Sequence, residues 1–295
     1  MELPPSLKVE YPFESNSLEL AGTKMNYVDE GNGHPIIMLH GNPTWSFYYR
    51  NVIKQLRGQF RCIVPDHIGC GLSEKPQLYN YSLSQRIKDV QSLIDHLKIE
   101  HFHLIVHDWG GAIGSGLAIQ NLSKVKKIVI LNTGAFLSKN IPKRISICKL
   151  PLIGEFIVRR FNAFAYPATY MATAKGLTKN AKKGLLFPYD NWNNRIAISR
   201  FVEDIPLKKR HPSYNKLKEI DENLHLLKNN PMAIFWGMRD FCFDKSFLRE
   251  WKKRFPQATS TQFEKSGHYI LEDERDKINK KILDFMNKCS STNLC

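Results

Sequence analysis

The chain has 295 residues, of which 42% are apolar, and it lacks low-complexity tracts and internal repeats, so its composition excludes a disordered or fibrous protein. This length suffices for one large α/β domain with an insertion and for a substantial buried core. The net charge of +15 is large, but no nucleic-acid recognition motif accompanies it, and we therefore expect no nucleic-acid partner.

The sequence also bears on the compartment. Its first residues show no basic region followed by an apolar core, and no stretch approaches the roughly 18 uninterrupted apolar residues of a membrane span. Six cysteines are scattered without C-x-x-C spacing, which favours reduced structural thiols over a metal site or a disulfide framework. We expect a cytoplasmic protein that is at most peripheral to a membrane.

Short apolar runs alternate with helical patterns along most of the chain. Strands are predicted around residues 18–20, 25–28, 36–39, 60–64, 104–106, 125–131 and 232–236, and in a run that ends at 263. Helices are predicted before residue 56, over 82–97, from 112 to 118, near 247–255 and over 274–286. This alternation predicts an α/β fold with a mostly parallel eight-stranded sheet flanked by helices, whose ligands gather at the carboxyl ends of the strands.

The alternation stops between residues 137 and 215. That segment is helical in pattern and rich in aromatic residues, so we predict a helical cap inserted after the sixth strand, with residues 1–136 and 216–295 forming the α/β core. The aromatic content suggests an apolar slot for substrate, although aromatic residues at helical spacing also form ordinary core. The residues concerned are Phe156, Phe161, Phe164, Tyr166, Tyr170, Phe187, Tyr189 and Trp192.

The same segment carries most of the net charge. It holds 15 lysine and arginine residues against four acidic ones, which is +11 of the total of +15. A solvated basic face would explain this charge, and so would a surface that meets an anionic membrane or an acidic partner protein.

The run His107-Asp108-Trp109-Gly110-Gly111 joins a predicted strand to a predicted helix. In α/β-hydrolases a tight turn at this place exposes the nucleophile beside backbone N–H groups. Here the usual serine is an aspartate, whose carboxylate is already ionised at neutral pH and attacks carbon without a base. Asp108 is therefore our candidate nucleophile, although an aspartate after a strand also suits a helix N-cap.

Two further groups would complete such a site. His268 lies in the loop after the last strand, at the same sheet edge as Asp108, and is the candidate base that activates water. Asp240 follows the strand 232–236 and is the best candidate to hold the imidazole, although it also suits an Asx turn. Asp244 is a weaker rival, and Asn132, which follows the preceding strand, is not an acid.

Asn42 and Trp109 are the candidates for stabilising an anion. Their backbone N–H groups stand at the places of an oxyanion hole, and their side chains add an amide and an indole donor that stay neutral at pH 7. The alternative is that Asn42 shapes a turn and Trp109 only packs.

These residues resemble the haloalkane dehalogenases of the α/β-hydrolase superfamily over almost the whole chain. The matching stretches are residues 40–45, 65–73, 107–111, 236–240 and 267–268. The resemblance implies Asp108 as nucleophile, His268 as base, Asp240 as the acid, and Asn42 with Trp109 as the halide-binding pair. The cap stretches 161–165, 188–192 and 200–207 are also similar to the β-lactone decarboxylases of bacterial olefin biosynthesis.

The expected activity is thus conversion of haloalkanes to alcohol and halide through a covalent ester, with β-lactone decarboxylation as the alternative on the same site. Both substrates are small and apolar, and neither a metal nor an organic cofactor is implied. An epoxide hydrolase would need acidic donors in the cap, for which Tyr166, Tyr170, Tyr189 and Tyr214 are available. A non-catalytic receptor on this fold is a further alternative, which the complete set of Asp108, Asp240 and His268 disfavours.

Overall fold

An eight-stranded sheet forms the centre of the computed structural model, which describes residues 3–20, 22–138 and 142–288. The strands are β1 (Asn16–Leu20), β2 (Thr23–Glu30), β3 (His34–Leu39), β4 (Phe60–Pro65), β5 (Phe102–Asp108), β6 (Val125–Thr133), β7 (Met232–Gly237) and β8 (Thr259–Phe263). Their spatial order is β1-β2-β4-β3-β5-β6-β7-β8. The pairs β1–β2 and β2–β4 are antiparallel and all others are parallel, which confirms the predicted fold class.

Helices connect and cover these strands. They are α1 (Pro5–Lys8), α2 (Arg50–Leu56), α3 (Leu83–His96), α4 (Trp109–Gln120), α5 (Lys143–Cys148), α6 (Ile153–Phe161), α7 (Ala165–Met171), α8 (Lys179–Leu186), α9 (Ile196–Glu203), α10 (Tyr214–Asn223), α11 (Lys245–Arg254), α12 (Ile270–Asp273) and α13 (Arg275–Asn287). Short 3₁₀ helices cover Ser46–Tyr49, Asn193–Arg195 and Leu224–Leu227. Within the described ranges, no helix is long and apolar enough to cross a membrane.

The central strands are buried on both faces because alternate side chains point to opposite sides of the sheet. In β3, Ile37 and Leu39 join the apolar core beneath α3, α4, α10 and α11. Ile36 and Met38 point the other way, into the core shared with α2 and α13. The continuous apolar run of this strand is therefore explained by two helical layers, one on each face.

Between β6 and β7 the described chain contains six α-helices, α5–α10, and no strand. The division into core and cap stays a prediction, and its boundary at residue 215 falls inside α10. Because Leu217 and Ile220 of α10 pack into the core beneath the sheet, we propose that the cap ends before Tyr214. Four of the six cysteines, Cys62, Cys70, Cys148 and Cys242, are free thiols, while Cys289 and Cys295 lie outside the described residues.

Candidate active site

Asp108 occupies the turn between β5 and α4. Its backbone has φ +53° and ψ −128°, an uncommon region for a residue with a side chain, which here turns the carboxylate out of the strand. The turn also needs close approach of the chain, since a Cβ on Gly110 would lie 2.0 Å from the Leu39 carbonyl oxygen. A Cβ on Gly41 would likewise lie 2.0 Å from Asp108 Oδ1.

The Asp108 carboxylate does not cap its helix. No N–H of α4 donates to its side chain; instead Oδ1 accepts the backbone N–H of Asn42 at 2.7 Å. Oδ2 lies 3.5 Å from Nε2 of His268. The carboxylate is thus held from two sides while its outer edge lines an open pocket.

His268 and Asp240 meet at this edge of the sheet. Nδ1 of His268 lies 2.8 Å from Oδ2 of Asp240, and both side chains are buried. Asp240 also forms the Asx turn, because its Oδ1 accepts the N–H of Cys242 at 2.6 Å and of Phe243 at 3.1 Å. Asp244, the rival acid, instead caps α11 by accepting the N–H of Ser246 at 2.8 Å.

The electrostatics of the three groups are coupled. Burial opposes a charge on His268, but the charge of Asp240 and the hydrogen bond and charge of Asp108 raise its pKa to about 10. Burial likewise opposes ionisation of Asp108, and the nearby imidazolium lowers its pKa nevertheless. At pH 7 the carboxyl groups of Asp240 and Asp108 therefore favour the protonated form of His268.

Two buried groups to which the sequence assigned no role, Asn132 and His107, contact His268 and Asp240. The amide of Asn132 donates to Asp240 Oδ2 at 2.9 Å and to the Gly237 carbonyl at 3.1 Å, and its Oδ1 accepts the Gly237 N–H at 2.8 Å. His107 Nε2 lies 2.9 Å from the His268 carbonyl oxygen, and burial lowers the pKa of His107 to about 3. Neutral His107 thus donates to the backbone of the loop that carries His268.

Asn42 and Trp109 both line the pocket beside Asp108. The Asn42 amide nitrogen donates to the Ile198 carbonyl of α9 at 3.1 Å, which leaves its second N–H for a ligand. Among the described residues, the Trp109 indole N–H forms no hydrogen bond.

Helix α9 contacts both of these donors. Ile198 accepts from Asn42, and the ring of Phe201 packs against Trp109 with centroids 5.5 Å apart. The helix is fastened to the core by the buried Arg86, which pairs with Asp204 at 3.1 Å and stacks on Phe201 at 3.7 Å. No local pattern in the sequence indicates this pairing, because Arg86 and Asp204 are 118 residues apart.

The rest of the pocket is mainly apolar, and most of its lining comes from the cap. Its lining includes Ile145, Phe164, Pro167, Met171, Val202 and Ile205. The sequence interpretation of the cap aromatics is wrong for most of them, because of the eight only Phe164 lines the pocket. Phe156, Phe161, Tyr166, Tyr170 and Trp192 are exposed.

The four tyrosines considered for an epoxide hydrolase lie away from the pocket lining. Tyr166 and Tyr170 face outward on α7, and the buried Tyr189 hydroxyl donates to the Thr44 carbonyl at 3.2 Å. Tyr214 begins α10 and is absent from the pocket lining as well. This arrangement supplies no acidic donor from these residues for opening an epoxide. The described residues also contain no cluster of three or more histidine, cysteine or acidic side chains that could hold a metal ion.

The sheet order, the turn at Asp108 and the His268–Asp240 pair define a hydrolase of the α/β type, and a family comparison agrees. The chain belongs to the α/β-hydrolase fold family, whose model matches residues 34–148 and 158–275. It is 44% identical to a cis-3-alkyl-4-alkyloxetan-2-one decarboxylase of Shewanella oneidensis, over 94% of this chain and 89% of that protein. It is 38% identical to the decarboxylase of the same name from Xanthomonas campestris pv. campestris, over 94% and 97% of the two chains.

Haloalkane dehalogenases are relatives as well. The chain is 37% identical to a haloalkane dehalogenase of Mycobacterium marinum, over 94% of this chain and 95% of that protein. The crystal structure of the haloalkane dehalogenase DbeA from Bradyrhizobium elkani superposes with a TM-score of 0.83 at 22% identity, covering 93% of this chain and 97% of that one. The predicted resemblance to both groups is thus confirmed, while the roles of the individual site residues stay predictions.

Proposed function

We propose that this protein is a β-lactone decarboxylase that converts a cis-3,4-dialkyl oxetan-2-one into an alkene and carbon dioxide, with Asp108 as nucleophile. The observation that carries the proposal is the ionised Asp108 carboxylate at the end of an apolar pocket, with its outer oxygen beside His268. The choice of substrate rests on the 44% identity with the Shewanella decarboxylase over nearly all of both chains.

The first step is displacement at the sp³ ring carbon that bears the lactone oxygen. Asp108 Oδ2 bonds to this carbon, the carbon–oxygen bond of the ring breaks, and its electron pair leaves as a substrate carboxylate. The Asn42 and Trp109 donors face this new anion, in the way that donors of an oxyanion hole stabilise developing charge. Asp108 Oδ1 keeps the Asn42 N–H throughout.

In the second step the carbon–carbon bond to the carboxylate breaks and its electrons form the alkene. The ester oxygen leaves as the regenerated Asp108 carboxylate, and carbon dioxide departs. No proton or water is consumed, so His268 can stay protonated between the anions. Inversion in the first step followed by anti elimination converts a cis lactone into a cis alkene.

Haloalkane dehalogenation is the second candidate, and the unpartnered Trp109 indole N–H beside Asn42 favours it. In that reaction Asp108 displaces halide and forms a neutral ester. Loss of the Asp108 charge lowers the pKa of His268, which lets the imidazole become neutral and activate water. The same site thus accommodates both reactions, and they differ in whether His268 must lose its proton.

The deciding experiment incubates the purified protein with a medium-chain cis-β-lactone and measures alkene by gas chromatography. Bromide release from a 1-bromoalkane is measured on the same preparation. We expect catalytic alkene formation that Asp108→Ala lowers by roughly 10⁴-fold or more. Bromide without alkene would replace the proposal with a dehalogenase, and biological activity that survives Asp108→Ala would indicate a non-catalytic receptor.

We also infer that the basic cap segment meets an anionic partner, either a membrane surface or a partner enzyme, and that the protein works in the cytoplasm. The charge of residues 137–215 supports the first inference. The free thiols of Cys62, Cys70, Cys148 and Cys242 support a reducing compartment.

A further inference from the structure

An apolar ridge projects from the outside of the cap. We define the α6 ridge by Leu152, Ile153, Phe156 and Phe161 together with Trp192, all of them exposed. Leu152 is 85% exposed and Phe161 is 64% exposed. Large apolar side chains exposed next to one another, in contrast to scattered single ones, mark interaction surfaces.

The ridge is continuous because helical spacing brings its members together. Ile153 and Phe156 are three residues apart on α6, and the Phe156 ring lies 5.8 Å from Phe161 and 6.3 Å from Trp192. Leu152 stands at the tip, where its backbone has φ +62° just before α6 begins.

The buried side of α6 is close to the pocket wall. Gly154 lies so near α5 that a Cβ on it would come within 2.1 Å of the Cys148 carbonyl oxygen. Cys148, Ile145 and Arg144 of α5 line the pocket. The ridge therefore lies one helix away from the cavity in which the substrate is proposed to react.

Positive charge accompanies the ridge. Arg160 is exposed and its guanidinium stands 5.7 Å from the Phe161 ring, while Arg144 is exposed where α5 borders the pocket. Glu155, the one acid in the sequence of α6, is neutralised by Arg159 at 2.5 Å and by Arg200 at 3.5 Å. The surface thus combines bare apolar side chains with cations.

We propose that the α6 ridge docks the enzyme on an anionic lipid surface, with Leu152 and Phe156 entering the boundary between headgroups and acyl chains. Interfacial helices bind in this way, with apolar side chains buried and basic ones at the headgroups. The choice of a lipid surface over a protein rests on the proposed function, since a dialkyl β-lactone is itself lipid-like and partitions into a bilayer. Docking through α6 would bring α5 and the pocket close to the bilayer that contains the substrate.

The test is sedimentation of the full chain with vesicles of phosphatidylcholine alone or mixed with phosphatidylglycerol. We expect binding to the mixed vesicles that weakens with salt, and weak binding to phosphatidylcholine. The double variant Leu152→Glu/Phe156→Glu should bind at least about tenfold more weakly, because two apolar side chains no longer enter the lipid. Arg160→Gln should bind about fivefold more weakly to the anionic vesicles alone.

The matched control is Leu122→Glu, which alters an exposed leucine just after α4, about 18 Å along that helix from Asp108. It should bind vesicles like the wild type. Equal binding by the ridge variant and this control, or no binding of the wild type to mixed vesicles, would overturn the proposal. A different outcome is that the wild type does not bind vesicles but forms a dimer in gel filtration, and that the ridge variant is a monomer. That outcome would overturn the lipid proposal and identify the ridge as a contact with a second copy of the chain.

Activity separates this proposal from the proposed function. A short-chain, water-soluble β-lactone assayed without vesicles should be turned over equally by the wild type and by Leu152→Glu/Phe156→Glu. Turnover without vesicle binding would refute the docking surface and leave the decarboxylase. Vesicle binding without turnover of any β-lactone would retain the surface as a lipid-binding one and refute the decarboxylase.

Discussion

The two walls of the pocket are built differently. On the core side, the carboxylates and the imidazole have fixed partners: Asp108 with Asn42, His268 with Asp240, and Asp240 with Asn132. On the cap side, α5 and α7 contribute mainly apolar side chains such as Ile145 and Met171. We therefore expect the core wall to determine the reaction and the cap wall to determine which substrates enter. Substitutions in the core should alter rate constants most, and substitutions in the cap should alter substrate preference.

His268→Phe should give the largest effect that depends on the reaction. If the protein hydrolyses haloalkanes, this variant forms the Asp108 ester but cannot activate water, so turnover stops after one equivalent of halide. If it decarboxylates β-lactones, alkene formation continues at a reduced rate because no water is used. Intact mass spectrometry after exposure to a bromoalkane measures the ester. A bromoalkane that the wild type turns over but that leaves no adduct on the variant would contradict the two-step scheme.

Asn42→Ala should slow turnover by roughly 10²-fold, because one neutral donor to the departing anion is lost. The effect should appear in kcat, measured with the β-lactone or the bromoalkane, whichever is turned over. Since the backbone N–H of Asn42 still donates to Asp108, the nucleophile itself should keep its place. An unchanged kcat would mean that the Asn42 side chain only shapes the turn after β3 and does not stabilise the anion.

Asn132→Ala should weaken the core wall without touching the substrate. It leaves the Gly237 N–H without its partner and removes one donor to Asp240, which costs about 1–3 kcal/mol of unfolding free energy. We expect a decrease in kcat of about tenfold with KM little changed, measured beside a urea unfolding curve. Asp244→Ala in the same segment is the control, since it removes only a helix cap. Equal kcat values for the two variants would show that Asn132 does not position Asp240.

The contact between Asn132 and Asp240 could not be predicted from the sequence. The order of strands and helices placed Asp108, Asp240 and His268 at one sheet edge, because the loops after parallel strands meet there. Asn132 stands at that edge too, but an amide gives no local sign that it will hold a carboxylate. The ion pair of Arg86 with Asp204 could not be predicted either, because a contact between residues 118 positions apart depends on how the cap packs on the core. For the same reason, the sequence pattern of the cap predicted its helices but did not predict which of its aromatic side chains are exposed.

The charge balance of the core wall makes stability depend on pH. His268 has a pKa of about 10 in the folded protein, against about 6.5 when unfolded, so its stabilisation is complete below pH 6.5 and is lost as pH rises towards 10. Urea unfolding at pH 6, 8 and 10 should show the wild type losing more stability than His268→Phe. Other groups titrate in both proteins, so the difference isolates His268. Parallel curves would mean that the imidazole is neutral in the resting site.

Phe164→Ala tests the cap wall and should give the smallest effect on the chemistry. Phe164 is the one member of the eight cap aromatics in the pocket lining, and its ring limits the space there. Removing it enlarges the pocket, so KM for longer alkyl chains should fall relative to short ones by a few-fold to about tenfold, with kcat nearly constant. Phe161→Ala, on the outer surface of the same segment, should leave both constants for a short soluble substrate unchanged. If Phe164→Ala lowered kcat for every chain length alike, the cap would share in the chemistry, and the division between the two walls would not hold.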